Sequence, residues 1–204
     1  MQIIIEDLRT GPNKYEYSEQ VEETIRDIVV NTFSIKEYSQ VTTGYDPYKD
    51  FSINGHMIDL KISAKDDLEI EYARDNGNPS AIALTDSDLY MTLTGGWTKI
   101  RKGWKHVGKL RLFQVNQLKE IIEPLKDDDR YCKYYKPHDG GRGSRCVILT
   151  KDMIKQYGCD LALFDVEPIT NNKNWIIGYD LNKIDAAGAF SYVIRNIYKP
   201  WWLG

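Results

Sequence analysis

The stretch Asp50-Phe51-Ser52-Ile53-Asn54-Gly55-His56-Met57-Ile58-Asp59-Leu60-Lys61-Ile62-Ser63 decides the fold. Two runs of alternating apolar and polar residues flank Asn54-Gly55, the strongest short-range signal for a type I′ turn, whose central residues both need positive φ. The turn sets the register, so Ile53 faces His56, Ser52 faces Met57, Phe51 faces Ile58 and Asp50 faces Asp59. Successive side chains alternate between faces. Phe51, Ile53, Ile58, Leu60 and Ile62 therefore form an apolar face, while Asp50, Asp59 and Lys61 share the other. Two carboxylates at cross-strand spacing, about 4.5–5.5 Å between Cβ atoms, repel each other. A divalent cation offsets that repulsion, and Mg²⁺ is commonly held by one or two carboxylates together with substrate phosphate.

Asp50, followed after the hairpin turn by Asp59-Leu60-Lys61, resembles the motif of the PD-(D/E)XK nuclease superfamily: an acid, a spacer spanning a hairpin, then Asp or Glu, any residue, and Lys. The proline of the motif's name is absent, since Lys49 precedes Asp50. Asp46, followed by Pro47, is a competing first acid that lies outside the hairpin pairing. The motif spans residues 50–61, and a helix, hairpin and further strands in the expected order extend the resemblance to about residue 95.

The resemblance implies a restriction-endonuclease-like fold of the α/β (α+β) class, a central mixed β-sheet with a catalytic hairpin flanked by helices. It implies a DNA endonuclease that hydrolyses phosphodiester bonds with Mg²⁺, or Mn²⁺ in its place. Asp50, Asp59 and the backbone carbonyl of Leu60 would hold the metal. Lys61 would orient the attacking water or stabilise developing charge, and Glu22, on a helix before the sheet, would be a further metal or water ligand. Nucleases of this kind are frequent in bacteriophages and restriction systems. The alternative is a non-catalytic nucleic-acid-binding or assembly protein on the same fold, because Asp-x-Lys on a strand is also an ordinary solvated face.

Ser18 is a candidate N-cap for a helix over 18–33, with Val21, Ile25, Ile28, Val29 and Thr32 as its apolar stripe. Glu22 sits at the margin of that stripe, while Glu19 and Glu23 point away; acids near a helix N-terminus also complement its dipole. An edge strand or extended loop is expected over 37–43 and strands over 68–73, 89–94, 146–149, 160–164 and 175–179. Helices are expected over 116–123, 150–157 and 186–198. If the strand over 68–73 pairs beside residues 59–61, Glu69 or Glu71 comes to flank the site.

Residues 95–111 carry Lys99, Arg101, Lys102, Lys105, Lys109 and Arg111 without an acid, interleaved with Trp97 and Trp104. They read as a long hairpin whose cations contact DNA phosphates, led by Lys99, Arg101, Lys102 and Lys105. The glycine-rich run 140–145 adds Arg142 and Arg145 to that track, although it lacks the spacing of a nucleotide-binding loop.

With 204 residues, net charge −3 and 42% hydrophobic content, the chain has a globular composition, neither a disordered acidic chain nor a globally basic one. It reads as a single domain over 1–204, with a core over about 15–125 and an elaboration over about 126–204. Cys132, Cys146 and Cys159 have neither paired metal spacing nor an even count, so reduced thiols are expected. His56, His106 and His138 read as surface histidines. No apolar run reaches the roughly 18 residues of a membrane span, and the first residues lack a signal-peptide pattern, so a cytoplasmic protein without membrane contact is expected. Trp201 and Trp202 read as packed against the body or against a partner subunit, which would make a homodimer.

Overall fold

The structure of the protein, a computed structural model, describes residues 1–40, 49–136, 143–157 and 159–183. Its elements in chain order are β1 (Gln2–Ile4), α1 (Ile5–Thr10), α2 (Lys14–Phe33), β2 (Tyr38–Gln40), β3 (Phe51–Ile53), β4 (His56–Ile62), β5 (Leu68–Arg74), β6 (Leu89–Ile100), β7 (Gly103–Gln114) and α3 (Val115–Ile122). There follow β8 (Cys132–Tyr135), β9 (Ser144–Leu149), α4 (Lys151–Tyr157), β10 (Cys159–Asp165), β11 (Glu167–Thr170) and β12 (Ile176–Asp180).

The β3–β4 hairpin forms in the register its turn dictates: Ile53 pairs with His56, Ser52 with Met57 and Phe51 with Ile58. Asn54 at φ 49° and Gly55 at φ 78° supply the two positive angles of the turn. This hairpin sits inside a six-stranded sheet of order β10-β7-β6-β4-β3-β2. β4 and β6 run parallel, and the other neighbours run antiparallel, so the sheet is mixed and the protein is a mixed α/β fold. Smaller sheets, β1-β12-β11 and β5-β9-β8, complete the described strands.

The central sheet is buried on both faces, which is why Leu89-Tyr90-Met91-Thr92-Leu93 of β6 is buried without alternation. One face, with Ile58, Leu60, Met91 and Leu112, packs against Val21, Ile25 and Val29 of α2. The other, with Tyr90 and Phe113, packs against β5, β9, α3 and α4 through Ile70, Val147, Leu118 and Ile154.

β5 does not extend the hairpin. A parallel neighbour needs a crossover connection, and the chain leaves β4, crosses the second face as β5 and returns as β6 beside β4. Glu69 and Glu71 consequently stand in the β5-β9-β8 sheet, where Glu69 meets Lys65 and Lys133, and Glu71 accepts from Ser80 Oγ; they do not flank Asp59.

α2 begins at Lys14, so Ser18 is not its N-cap but lies within it. Ser34 at φ 53° ends the helix in the left-handed region. The short elements β1, α1, β8 and β11 carry too few residues for a period to show. Residues 41–48 with Asp46, His138, Arg142, the helix expected over 186–198, Trp201 and Trp202 lie outside the described residues. No helix among the described residues is long and apolar enough to cross a membrane. Cys132 and Cys146 are free thiols, and burial first of all pushes that of Cys146 up to about 11.

Candidate active site

The β3–β4 ladder stops at Phe51 and Ile58, one pair short of the two acids. Asp50 is therefore not Asp59's ladder partner. Its N–H donates to the carbonyl of Ile58 at 2.9 Å, and its carboxylate turns to accept the N–H of Leu60. The N–H and C=O of one strand residue point to the same edge. The Leu60 carbonyl accordingly faces the edge of β4 on which Asp50 lies.

Asp59 is 1% exposed, and its Oδ1 takes an ion pair from Lys61 Nζ. Beside Asp59 in the parallel ladder stands Tyr90, also buried, with Lys61 Nζ 6.0 Å from the centre of its ring. The fourth member comes from α2. Glu22 is half-buried and accepts from Ser18 Oγ at 2.8 Å, while Glu19 and Glu23 are exposed as their helical phase requires.

The charges of these side chains act on one another. Burial pushes the Asp50 carboxyl up to about 7; Glu22 and Asp59 add to the rise, while Lys61 and the Leu60 N–H oppose it. Burial also raises Glu22, with Ser18 and Lys61 opposing and Glu19 and Asp59 reinforcing. For Lys61 burial works downward, but Asp59, Asp50 and Glu22 together outweigh it and hold the ammonium above the ordinary lysine value. Burial, followed by Asp59, keeps the Tyr90 hydroxyl neutral. Glu22, Asp50, Asp59 and Lys61 are thus electrostatically coupled, three acids with one cation. A proton on Asp50 or a bound cation neutralises the excess negative charge.

Among the described residues no three His, Cys, Asp or Glu side chains converge as they stand on a point that would hold a metal ion. Asp50 is turned onto Leu60, and Asp59 onto Lys61. The donor set nonetheless fits a particular kind of ion. Carboxylates and a backbone carbonyl, without thiolate or imidazole, suit Mg²⁺ or Mn²⁺, and Mg²⁺ needs only one or two protein carboxylates because water and substrate phosphate complete its shell.

The basic segment is a long hairpin, β6–β7, but its cations divide into two sets. Lys109 and Arg111 are buried: Lys109 pairs with Asp66, and Arg111 reaches Thr94 Oγ1 at 3.4 Å. They cannot contact a surface ligand, because the inner halves of both strands cross the molecule between the two cores. Only the outer half leaves the body. There Lys99, Arg101 and Lys102 are exposed, and Lys105 is exposed but paired with Asp165. Arg145 is exposed on β9, in the β5-β9-β8 sheet and apart from this hairpin, and donates to the Asp75 carbonyl at 3.4 Å.

His106 is not a surface histidine. It lies across the ladder from Trp97, edge to face with that ring at 5.1 Å and 5.7 Å from the ring of Tyr179, and is 3% exposed. Burial lowers its pKa, with Asp66 opposing and Lys109 adding to the fall. His56 stays near the surface, 3.9 Å from Asp88. Tyr90 is the member of the site that sequence reasoning passed over. Its strand was legible, but a parallel register between segments thirty residues apart leaves no local mark.

In comparisons with known proteins, no family profile, curated protein or solved structure matches the chain significantly.

Proposed function

We propose that the protein is a divalent-metal-dependent DNA endonuclease of the PD-(D/E)XK type, on a restriction-endonuclease-like version of its mixed α/β fold. The observation that carries this reading is the placement of Asp50 on the Leu60 N–H and of Lys61 on Asp59 at the start and middle of the hairpin, with Glu22 of α2 electrostatically coupled to them and Asp50 held near a neutral pKa. Titratable groups perturbed by burial together with specific charge partners cluster at functional sites.

Asp50, Asp59 and the Leu60 carbonyl would hold Mg²⁺. When bound, the ion lowers the pKa of a coordinated water and neutralises charge on the phosphate oxygens. The chain supplies the rest. Asp50 would serve as a ligand in its ionised form, which its pKa of about 7 keeps accessible at neutral pH. Lys61 stays protonated, steadied by Asp59 and the Tyr90 ring, and presents its ammonium to the attacking water or to the developing charge on phosphate. Glu22 has a carboxylate oriented by Ser18 and positions the water. Lys99, Arg101 and Lys102 hold the DNA backbone.

The test is a cleavage assay with linear, supercoiled and four-way-junction DNA, in Mg²⁺, Mn²⁺ and EDTA, for the wild type and Asp59→Asn. Metal-dependent cuts by the wild type that the variant does not make are expected. DNA binding with no cleavage in either metal would favour the non-catalytic reading.

A further inference from the structure

The outer half of the β6–β7 hairpin has one face unlike the other. Trp97 pairs with His106 and Lys99 with Trp104, so these four share a face, while Lys105 belongs to the opposite one. His106 is buried and makes no hydrogen bond with the described residues through either ring nitrogen, serving as an apolar base under Trp97. Trp97 and Trp104 are instead 53% and 65% exposed. Exposing two of the largest apolar side chains on a two-stranded ribbon carries a cost that a bound partner removes. The partner's charge is set by the ribbon's outer end: residues 95–111 contain no acid, the neighbouring Asp165 and Asp66 are engaged by Lys105 and Lys109, and the turn places Arg101 and Lys102 beside this face.

We infer that this face binds an unpaired DNA strand, with bases on Trp97 and Trp104 and the backbone along Lys99, Arg101 and Lys102, so that the substrate class is DNA with a single-stranded or splayed segment. The inference rests on the nucleic-acid reading of the proposed function and names its substrate.

Two geometric points favour unpaired bases over a wedge into duplex. A wedge has to enter between stacked base steps of a duplex, whereas here the residues at the turn are Arg101-Lys102 and the tryptophans lie on the flank. Diagonal neighbours across an antiparallel pair are about 7–8 Å apart, more than twice the 3.4 Å rise between stacked bases along a duplex strand. Side chains rooted at that spacing can each take a base that has been drawn away from its neighbour. Stacking of this kind is indifferent to sequence, since every base has a π face.

Binding is measured with the full chain in EDTA, where a metal-dependent nuclease cannot cut, using a labelled oligo-dT strand and a duplex of equal length. Wild-type tryptophan fluorescence should be quenched by the single strand. Replacing Trp97 and Trp104 by Ala should weaken single-strand binding by about 5- to 150-fold per ring and leave duplex binding within about twofold. The Phe variants, which keep a stacking face, should recover most of the loss. Equal loss on both probes, or no loss on the single strand with no quenching of the wild type, overturns the proposal. The Phe variants and the wild-type quenching decide the matter even if the Ala pair folds poorly. Cleavage in Mg²⁺ is scored separately, so failed stacking leaves the nuclease reading standing, and failed cleavage leaves the stacking result standing.

Discussion

Asp50→Asn should stabilise the metal-free protein, and by an amount that depends on pH. In the folded protein Asp50 titrates at about 7 against 3.8 for a free side chain. The native state keeps a proton that the unfolded chain has released, so stability falls as pH rises from about 4 through about 7 and levels off above. At about 1.36 kcal/mol per pH unit, the interval corresponds to about 4 kcal/mol. Water drawn in by the ionised form relaxes part of that, leaving about 2 kcal/mol. Asn keeps an oxygen to accept the Leu60 N–H but carries no charge. The stability gap between variant and wild type should therefore vanish only well below the free side chain's 3.8, reach about 1 kcal/mol at pH 4.5 and open to about 2 kcal/mol at pH 8, or about 4–8 °C in Tm for a chain of this size. Urea and thermal unfolding in EDTA across that pH range measure the gap, and carboxylates not coupled to Asp50 cancel in the difference. Mg²⁺ at pH 8 should then stabilise the wild type and not the variant, as a ligand specific to the native state does. A gap independent of pH, or a variant less stable at pH 8, would refute the buried and mutually repelling cluster.

Asp59→Asn should abolish metal-dependent cleavage. It should also destabilise the metal-free protein by up to about 1 kcal/mol, because it removes the anion paired with the partly exposed Lys61; denaturant midpoints check this, and a gain in stability would show that Asp59 is held against net repulsion. Lys61→Ala should leave DNA and metal affinity within about threefold while turnover falls by about 100-fold or more, since its contact forms with the attacking water or the transition state; equal losses in single-turnover rate and affinity would make it a phosphate anchor. Mg²⁺ binding should strengthen as pH rises through about 7 and release a proton from Asp50, which calorimetry in buffers of different ionisation enthalpy detects. Neutralising Lys99, Arg101 and Lys102 should flatten the dependence of log K on log salt by about 0.9 for each phosphate no longer neutralised on duplex DNA. Adding Lys105 should change it less, because Asp165 already neutralises that side chain.

The sign of the Asp59 effect marks where reading the chain stopped being sufficient. Taken alone, the hairpin places two acids opposite each other, and removing one then relieves repulsion. In the folded protein Asp50 leaves the ladder to bond Leu60, and Asp59 is neutralised by Lys61. Glu22 was legible as the inward-facing acid of its helix because helical phase is local; that its charge acts with Lys61 and Asp59 depends on how α2 packs on the sheet.

By itself the sequence determined the hairpin, its register and its two unlike faces. Turn angles at Asn54-Gly55 and a period of two act between residues close along the chain, and no distant contact is needed to specify them. The long basic hairpin was readable for the same reason. Tertiary structure alone decided which segment stands beside β4, and so put Tyr90 under Lys61 in place of Glu69 or Glu71. It also withdrew Lys109, Arg111 and His106 into the interior and raised the pKa of Asp50. Each of these follows from burial between layers brought together across many residues, and burial depends on what covers a side chain, which its own neighbours in the chain do not specify.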